Sequence, residues 1–194
     1  SAMVSLDGKE IKGALRYFIM NKPDGVLSAT EDRSQRTVLD LLPPELARLG
    51  LFPAGRLDKD TTGLLILTND GDFGHRVTSP KHHTRKLYEF NTEAPLDGDD
   101  IKAFEKGIVL QDGTVCLPAE LKIDENDTCH GFLTIFEGKY HQVKRMLAAR
   151  GKHVRTLKRI AIGGLSLDPS LGEGEIKELT KSDINMVVNR KVTN

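Results

Sequence analysis

Asp58 is the side chain in this sequence whose surroundings best suit chemistry. It stands in Gly55-Arg56-Leu57-Asp58-Lys59-Asp60-Thr61-Thr62-Gly63, a glycine-bounded loop that runs into the apolar stretch Leu64-Leu65-Ile66-Leu67. A carboxylate held at the edge of a sheet between Arg56 and Lys59 is favoured in its charged form, and such a group can attack a substrate as a nucleophile. The plainer reading is a solvated turn acid, because loops use Asp for purely conformational reasons. Other polar clusters point to less. His82-His83 and His141 tempt a metal reading, but adjacent histidines on a strand point apart and no carboxylate-histidine spacing completes a zinc or iron set. Asn69-Asp70-Gly71-Asp72 lacks the later bidentate glutamate of a calcium loop. No metal site is expected.

The elements that must position Asp58 can be read from periodicity and turn chemistry. Residues 16–21 look like a strand, and Lys22-Pro23-Asp24-Gly25 supplies a turn into a second short strand over 26–29, a hairpin. Short helical turns are expected over 37–42 and 44–49, a buried strand over 64–68, a helix over 72–77 and an alternating strand over 84–92. Pro95 and Asp97-Gly98 mark the best internal boundary, before a helix over 99–106. Beyond it Asp112-Gly113 reads as a hairpin turn, 114–123, 129–136, 154–162 and 175–179 as strands, 140–150 as an amphipathic helix capped by Gly151, and 181–188 as a terminal helix. Strands outnumber crossover helices, so the fold class is α+β with a largely antiparallel sheet.

A chain of 194 residues with 38% hydrophobic content can bury a core as one domain or two joined lobes. No apolar run approaches the roughly 20 residues that span a bilayer, and no secretory signal opens the chain, so a soluble cytoplasmic protein without membrane contact is expected. Cys116 and Cys129 read as reduced thiols. The formal net charge is zero, yet residues 139–159 hold eight Lys or Arg and no acid. Such a block is either a solvated helix face or a phosphate-binding face; its continuation past the helix into a strand favours the second.

Several segments together resemble one family. Gly55-Arg56-Leu57-Asp58 followed by Thr61-Thr62-Gly63-Leu64 resembles the signature loop of the RsuA-type ribosomal RNA pseudouridine synthases. Arg16-Tyr17-Phe18-Ile19-Met20-Asn21-Lys22-Pro23 resembles their opening strand, and His75-Arg76-Val77-Thr78-Ser79-Pro80 with His82-His83 their next segment. Lys86-Leu87-Tyr88 and Glu137-Gly138-Lys139-Tyr140-His141-Gln142-Val143-Lys144-Arg145-Met146 resemble their later motifs. Any one of these is weak alone; their order along most of the chain makes coincidence implausible.

The resemblance implies a pseudouridine synthase fold, a mixed, mostly antiparallel sheet in two lobes with the active cleft between them. The catalytic domain would cover 16–194, with lobes of roughly 16–94 and 95–194. Residues 1–15 would be a tag remnant (Ser1-Ala2-Met3) and a linker or the end of an RNA-binding module that such enzymes carry in front. It also implies the roles. Asp58 is the catalytic aspartate, Tyr88 the tyrosine that stacks on the target uracil, and Lys144 the cation paired with the aspartate. Arg56 holds the flipped nucleotide or its phosphate. Thr62, His83, Lys139, His141, Gln142 and Arg145 complete the substrate-binding set.

The implied reaction turns uridine into pseudouridine in ribosomal RNA. It involves no net redox change or energy input, so no cofactor is expected. The segment 78–83 looks more like small-subunit enzymes than the large-subunit branch. The expected partner is ribosomal RNA or a small-subunit assembly particle, met by a monomer. A large-subunit synthase and a non-catalytic RNA-binding or ribosome-assembly module are the alternatives.

Overall fold

The computed structural model describes residues 13–188 and the backbone of β1 (Ser5–Leu6) and β2 (Lys9–Glu10), which pair antiparallel. Apart from that pairing, the expectations for the tag remnant and for Val4–Ile11 as the tail of a front module lie outside the described residues. There follow β3 (Tyr17–Lys22), α1 (Pro44–Ala47), β4 (Phe52–Pro53), β5 (Thr62–Thr68), α2 (Gly71–Thr78) and β6 (Lys86–Thr92). The second half supplies α3 (Gly98–Lys106), β7 (Glu120–Ile123), β8 (His130–Ile135), α4 (Gln142–Ala149), β9 (Val154–Ile162), β10 (Leu165–Ser166), β11 (Ile176–Glu178) and α5 (Lys181–Val188).

Nine strands form one sheet in the order β11-β3-β5-β9-β6-β8-β7, with β4 beside β5 and β10 beside β9. Among the described strands only β5 and β9 pair in parallel, so the α+β reading with a mostly antiparallel sheet holds. The 94/95 boundary falls between β6 and α3. Beyond it, β9 and β11 return to pair with β5, β6 and β3.

Alternation along β5 explains why its apolar run is unbroken. Leu65 and Leu67 join the core on one face with Phe104, Met146 and Leu147 of α3 and α4, while Leu64 and Ile66 join the core on the other with Phe73, Val77 and Val187 of α2 and α5. A strand covered on both faces needs no polar positions, and each fully buried Leu or Ile contributes roughly 1.5–3 kcal/mol. The helices begin where their caps dictate. Asp70 accepts from Phe73 N at 3.1 Å to open α2, and Asp97 and Asp100 form a reciprocal capping box at α3.

Two expectations are corrected. Residues 26–29 form no hairpin with the opening strand, because β3 already has β11 on one side and β5 on the other; Leu27 instead makes a single parallel bridge to Thr37. The strand expected over 114–123 is confined to Glu120–Ile123, since Pro118 offers no N–H to a ladder and Leu117 N is spent on Glu137 Oε1 at 2.7 Å.

The parallel contact of β5 with β9 depends on a glycine. Gly63 lies opposite Arg159 at φ +103°, and a Cβ there would stand 2.2 Å from the Arg159 carbonyl oxygen. Only a residue without a side chain lets the end of the Asp58 loop approach β9 this closely.

Candidate active site

The loop that carries Asp58 is clamped from beneath. Lys22, fully buried at the end of β3, donates from Nζ to the carbonyl oxygens of Pro23, Lys59 and Thr61, each at 2.9 Å. Burial lowers its pKa to about 8, a cost that the three carbonyl contacts offset. Ser28 Oγ donates to Leu57 O and accepts from Leu57 N, both at 3.0 Å, and Thr61 N returns to Asp58 O at 3.0 Å. Residues 57–61 are thus held by both neighbouring segments, and the carboxylate of Asp58 emerges from a rigid base.

It emerges into a cleft of about 740 Å³, lined among others by Arg56, Asp58, Thr61, Lys86, Tyr88, Lys139, His141, Gln142, Lys144 and Arg159. The lining comes from both sides of the 94/95 boundary. Lys144 Nζ stands 3.2 Å from Asp58 Oδ2 and 2.5 Å from Asp60 Oδ1, while His141 Nε2 lies 3.2 Å from Asp58 Oδ1. Burial works against the Lys144 ammonium, but hydrogen bonds to Asp60 and Asp58 outweigh it and hold its pKa above the usual value. Asp60, bonded to Lys144, is held below the usual carboxylate range.

The turn that supplies His141 and Lys144 has its own anchor. Buried Glu137 accepts from Leu117 N and from Gln142 Nε2, both at 2.7 Å, and is ion-paired with Lys139. Burial pushes its pKa up, yet these contacts hold it below the usual value. His141, at φ 47°, takes the left-handed conformation that a non-glycine residue rarely adopts, stacks on Tyr140 at 3.8 Å, and leads directly into α4. Such strain persists where surrounding contacts over-determine it, as the Asp58 contact and the Glu137 anchor do here.

Across the cleft, alternation on β6 sends Lys86 and Tyr88 into it and Leu87 and Glu89 to the opposite face. Tyr88 is only 8% exposed. Arg159 of β9 stands opposite Tyr88 in register and on the same face.

Of the expected residues, the cleft brings together Asp58, Tyr88, Lys144, Arg56, Lys139, His141 and Gln142. Thr62, His83 and Arg145 are not among its lining. Thr62 is paired in β5 opposite Lys158, and it is Thr61 that lines the cleft, its buried hydroxyl without a partner. His83 closes the short turn Pro80–His82, and Arg145 turns away to Asp112 at 2.6 Å. Sequence reasoning also missed Lys22, Lys86 and Arg159. The clue to Lys86 is its place two residues before Tyr88, hence on the same face of a strand.

The basic block over 139–159 is largely consumed within the fold. Lys139 serves Glu137, Lys144 serves Asp58 and Asp60, and Arg145 serves Asp112. Arg150 pairs with buried Asp100 at 2.8 Å, and Lys152 donates to Pro95 O at 2.7 Å. Arg159 is buried. The block does not form the single free cationic face that its sequence suggested.

The sequence and the fold both have relatives among known proteins. Residues 16–149 match the family described as RNA pseudouridylate synthase. The chain is 50% identical over 173 residues to "Uncharacterized RNA pseudouridine synthase YtzG" of Bacillus subtilis (strain 168), covering 88% of this chain and 72% of that protein. It is 45% identical over 174 residues to "Ribosomal small subunit pseudouridine synthase A" of Escherichia coli (strain K12), covering 89% and 74%. A crystal structure of a pseudouridylate synthase superposes with a TM-score of 0.85 at 43% identity, covering 92% of this chain and 76% of that one. The archaeal box H/ACA Nop10-Cbf5 complex shares the fold at a TM-score of 0.56 and 17% identity. With a loop-held carboxylate facing a buried tyrosine across a cleft, and with a family match over most of its length, the chain belongs to the RNA pseudouridylate synthases.

Proposed function

We propose that this chain converts a particular uridine of small-subunit ribosomal RNA into pseudouridine, with Asp58 as the acting carboxylate. The observation that carries the reading is the constellation at Asp58. Its two carboxylate oxygens meet His141 and Lys144 separately, at 3.2 Å each, in a chain 45% identical to a small-subunit enzyme. The contacts to Lys144 and His141 fix the carboxylate's direction, as an attacking or charge-stabilising group requires.

The target base must leave its helix to reach Asp58. Tyr88 offers a ring face on which a uracil can stack both before and after it turns, because stacking tolerates rotation in the plane. Arg56, exposed at the mouth, suits the phosphate of the extruded nucleotide. Lys139 and Gln142 border the same opening. The chain would act as a monomer on cytoplasmic ribosomal RNA or on a partly assembled small subunit, a reading that rests on its 45% identity to a small-subunit enzyme.

The test is to map pseudouridines in ribosomal RNA from cells lacking the protein. One small-subunit site should lose its modification and regain it with the wild-type gene but not with Asp58→Asn. Loss of a large-subunit site instead would move the substrate to the other branch. An unchanged map would defeat the proposal.

A further inference from the structure

Arg159 lies deep in the cleft and half-buried Lys86 lines it as well, and neither belongs to the constellation around Asp58. Exposure falls from the side chains of His141 (38%) and Asp58 (24%) to Tyr88 (8%) and Arg159 (3%), so Tyr88 and Arg159 form the floor. Arg159 is fixed by one contact, Nε to Leu64 O at 2.9 Å, while its Nη2 is buried with no hydrogen-bond partner. Lys86 Nζ reaches only the carbonyl of Thr84, at 3.2 Å. Among the described residues no carboxylate ion-pairs with either. Glu137, the acid that acts on Lys86, has both oxygens committed to Leu117, Gln142 and Lys139.

Two cations facing one cleft without a counter-ion carry an uncompensated desolvation cost. Burial first, and the Arg159 guanidinium second, lower the Lys86 pKa to about 8. The arrangement is eased when negative charge arrives beside Tyr88. A phosphate suits the mouth, where Arg56 is exposed; the floor, walled by Ile135, Val143 and Leu157, suits a flat ring.

We propose that Lys86 and Arg159 form a cationic floor that holds the detached uracil as an anion, keeping it in the cleft until it is rejoined to the ribose. This rests on the uridine-isomerising reading above. When the bond from C1′ to N1 breaks, its electron pair leaves with the base, whose negative charge spreads over N1 and the two carbonyl oxygens. The ring turns, C5 supplies the electron pair for the new bond to C1′, the C5 proton is lost and N1 gains a proton. The base is anionic only between those steps. Fixed cations that meet it there stabilise the separated state without tightening binding of intact RNA.

The experiment uses RNA carrying uracil-ring-labelled uridine and measures both pseudouridine and free uracil for wild type, Lys86→Met, Lys86→Arg and Arg159→Met. Both Met variants should lose roughly 10- to 100-fold in kcat with KM little changed. They should also release part of the cleaved base as free uracil, which wild type does not. Lys86→Arg should restore most of the activity and retain the base. Arg159 is buried, so folding is checked by thermal melting; if Arg159→Met unfolds, half-buried Lys86 carries the test. Wild-type kcat in the Lys86→Met variant, or a slowed variant that never releases uracil, overturns the cationic floor alone. Wild type that makes no pseudouridine overturns the parent reading with it.

Discussion

On the α4 side of the cleft, charge is matched. Lys144 lies between Asp58 and Asp60, His141 meets the other oxygen of Asp58, and Lys139 is tied to Glu137. On the β6–β9 side, Lys86 and Arg159 face the same space with backbone carbonyls as their partners. The first wall is complete as it stands, which suits a carboxylate that must be aimed before substrate arrives. The second is incomplete until something negative enters. On the proposed function, one cleft separates the group that would start the reaction from groups that would answer the charge the reaction creates.

Substitutions can break that contrast, beginning with the matched wall. Asp58→Asn keeps the shape and removes the charge, so isomerisation should fall by roughly a thousandfold or more. Affinity for RNA, read by filter binding, should stay within about threefold, because the amide still fits between Lys144 and His141.

Lys144→Met should come next, costing roughly 10- to 100-fold in rate by leaving Asp58 and Asp60 close together without their shared ammonium. Lys144→Arg should recover much of it. Asp60→Asn should change the rate by less than about threefold, since its side chain is 69% exposed and such pairs contribute little. Single-turnover kinetics on one RNA would rank the three. An Asp60→Asn defect as large as that of Lys144→Met would show that Asp60 takes part in the chemistry.

Tyr88→Phe preserves the ring and its packing while removing the hydroxyl. Binding should hold and the rate should drop by about tenfold. Tyr88→Ala should also destabilise the fold by roughly 3 kcal/mol, because the ring is buried in the sheet. If Phe and Ala variants turn over at the wild-type rate, the floor of the cleft is only structural.

The smallest effect lies outside the cleft and tests whether charge matching is also used simply to stabilise the fold. His130 sits between Asp124 Oδ2 and Glu89 Oε1, 2.8 Å from each, and these contacts raise its pKa above the ordinary 6.5. The folded state therefore holds the proton more tightly than the unfolded chain. The stabilisation is complete below the ordinary histidine range and is lost as pH rises through the raised folded value. His130→Gln should lower Tm by about 1–2 °C at acidic pH, with the gap closing toward alkaline pH. A gap independent of pH would mean that shape, not charge, holds His130 in place.

How much of this was legible in the sequence depends on how far apart the partners lie along the chain. Asp58 could be read because its loop is glycine-bounded and followed at once by a buried strand, whereas Tyr88 and Lys144 were reached only through the family resemblance. The clamp under the loop was not legible: Lys22 ends a strand next to Pro23, and nothing local says that its ammonium folds under residues 59–61. Arg159 was hidden by the sheet order, which sets β9 between β5 and β6 and so brings residue 159 beside both 63 and 88. A cation in an alternating strand reads as solvent-facing unless the other face is known to be covered. The basic block misled for the same reason. Asp58, Asp60, Asp100, Asp112 and Glu137, which pair with Lys139, Lys144, Arg145 and Arg150 of that block, lie elsewhere in the sequence.

If Asp58 performs a uridine isomerisation, tritium must leave RNA labelled at C5 of uridine, since that hydrogen is lost when C5 becomes the new attachment point. With small-subunit ribosomal RNA, wild type should release tritium in step with pseudouridine formation, and folded, RNA-binding Asp58→Asn should release none above background. Tritium release by Asp58→Asn at a rate close to that of wild type would show that another group acts on the uridine.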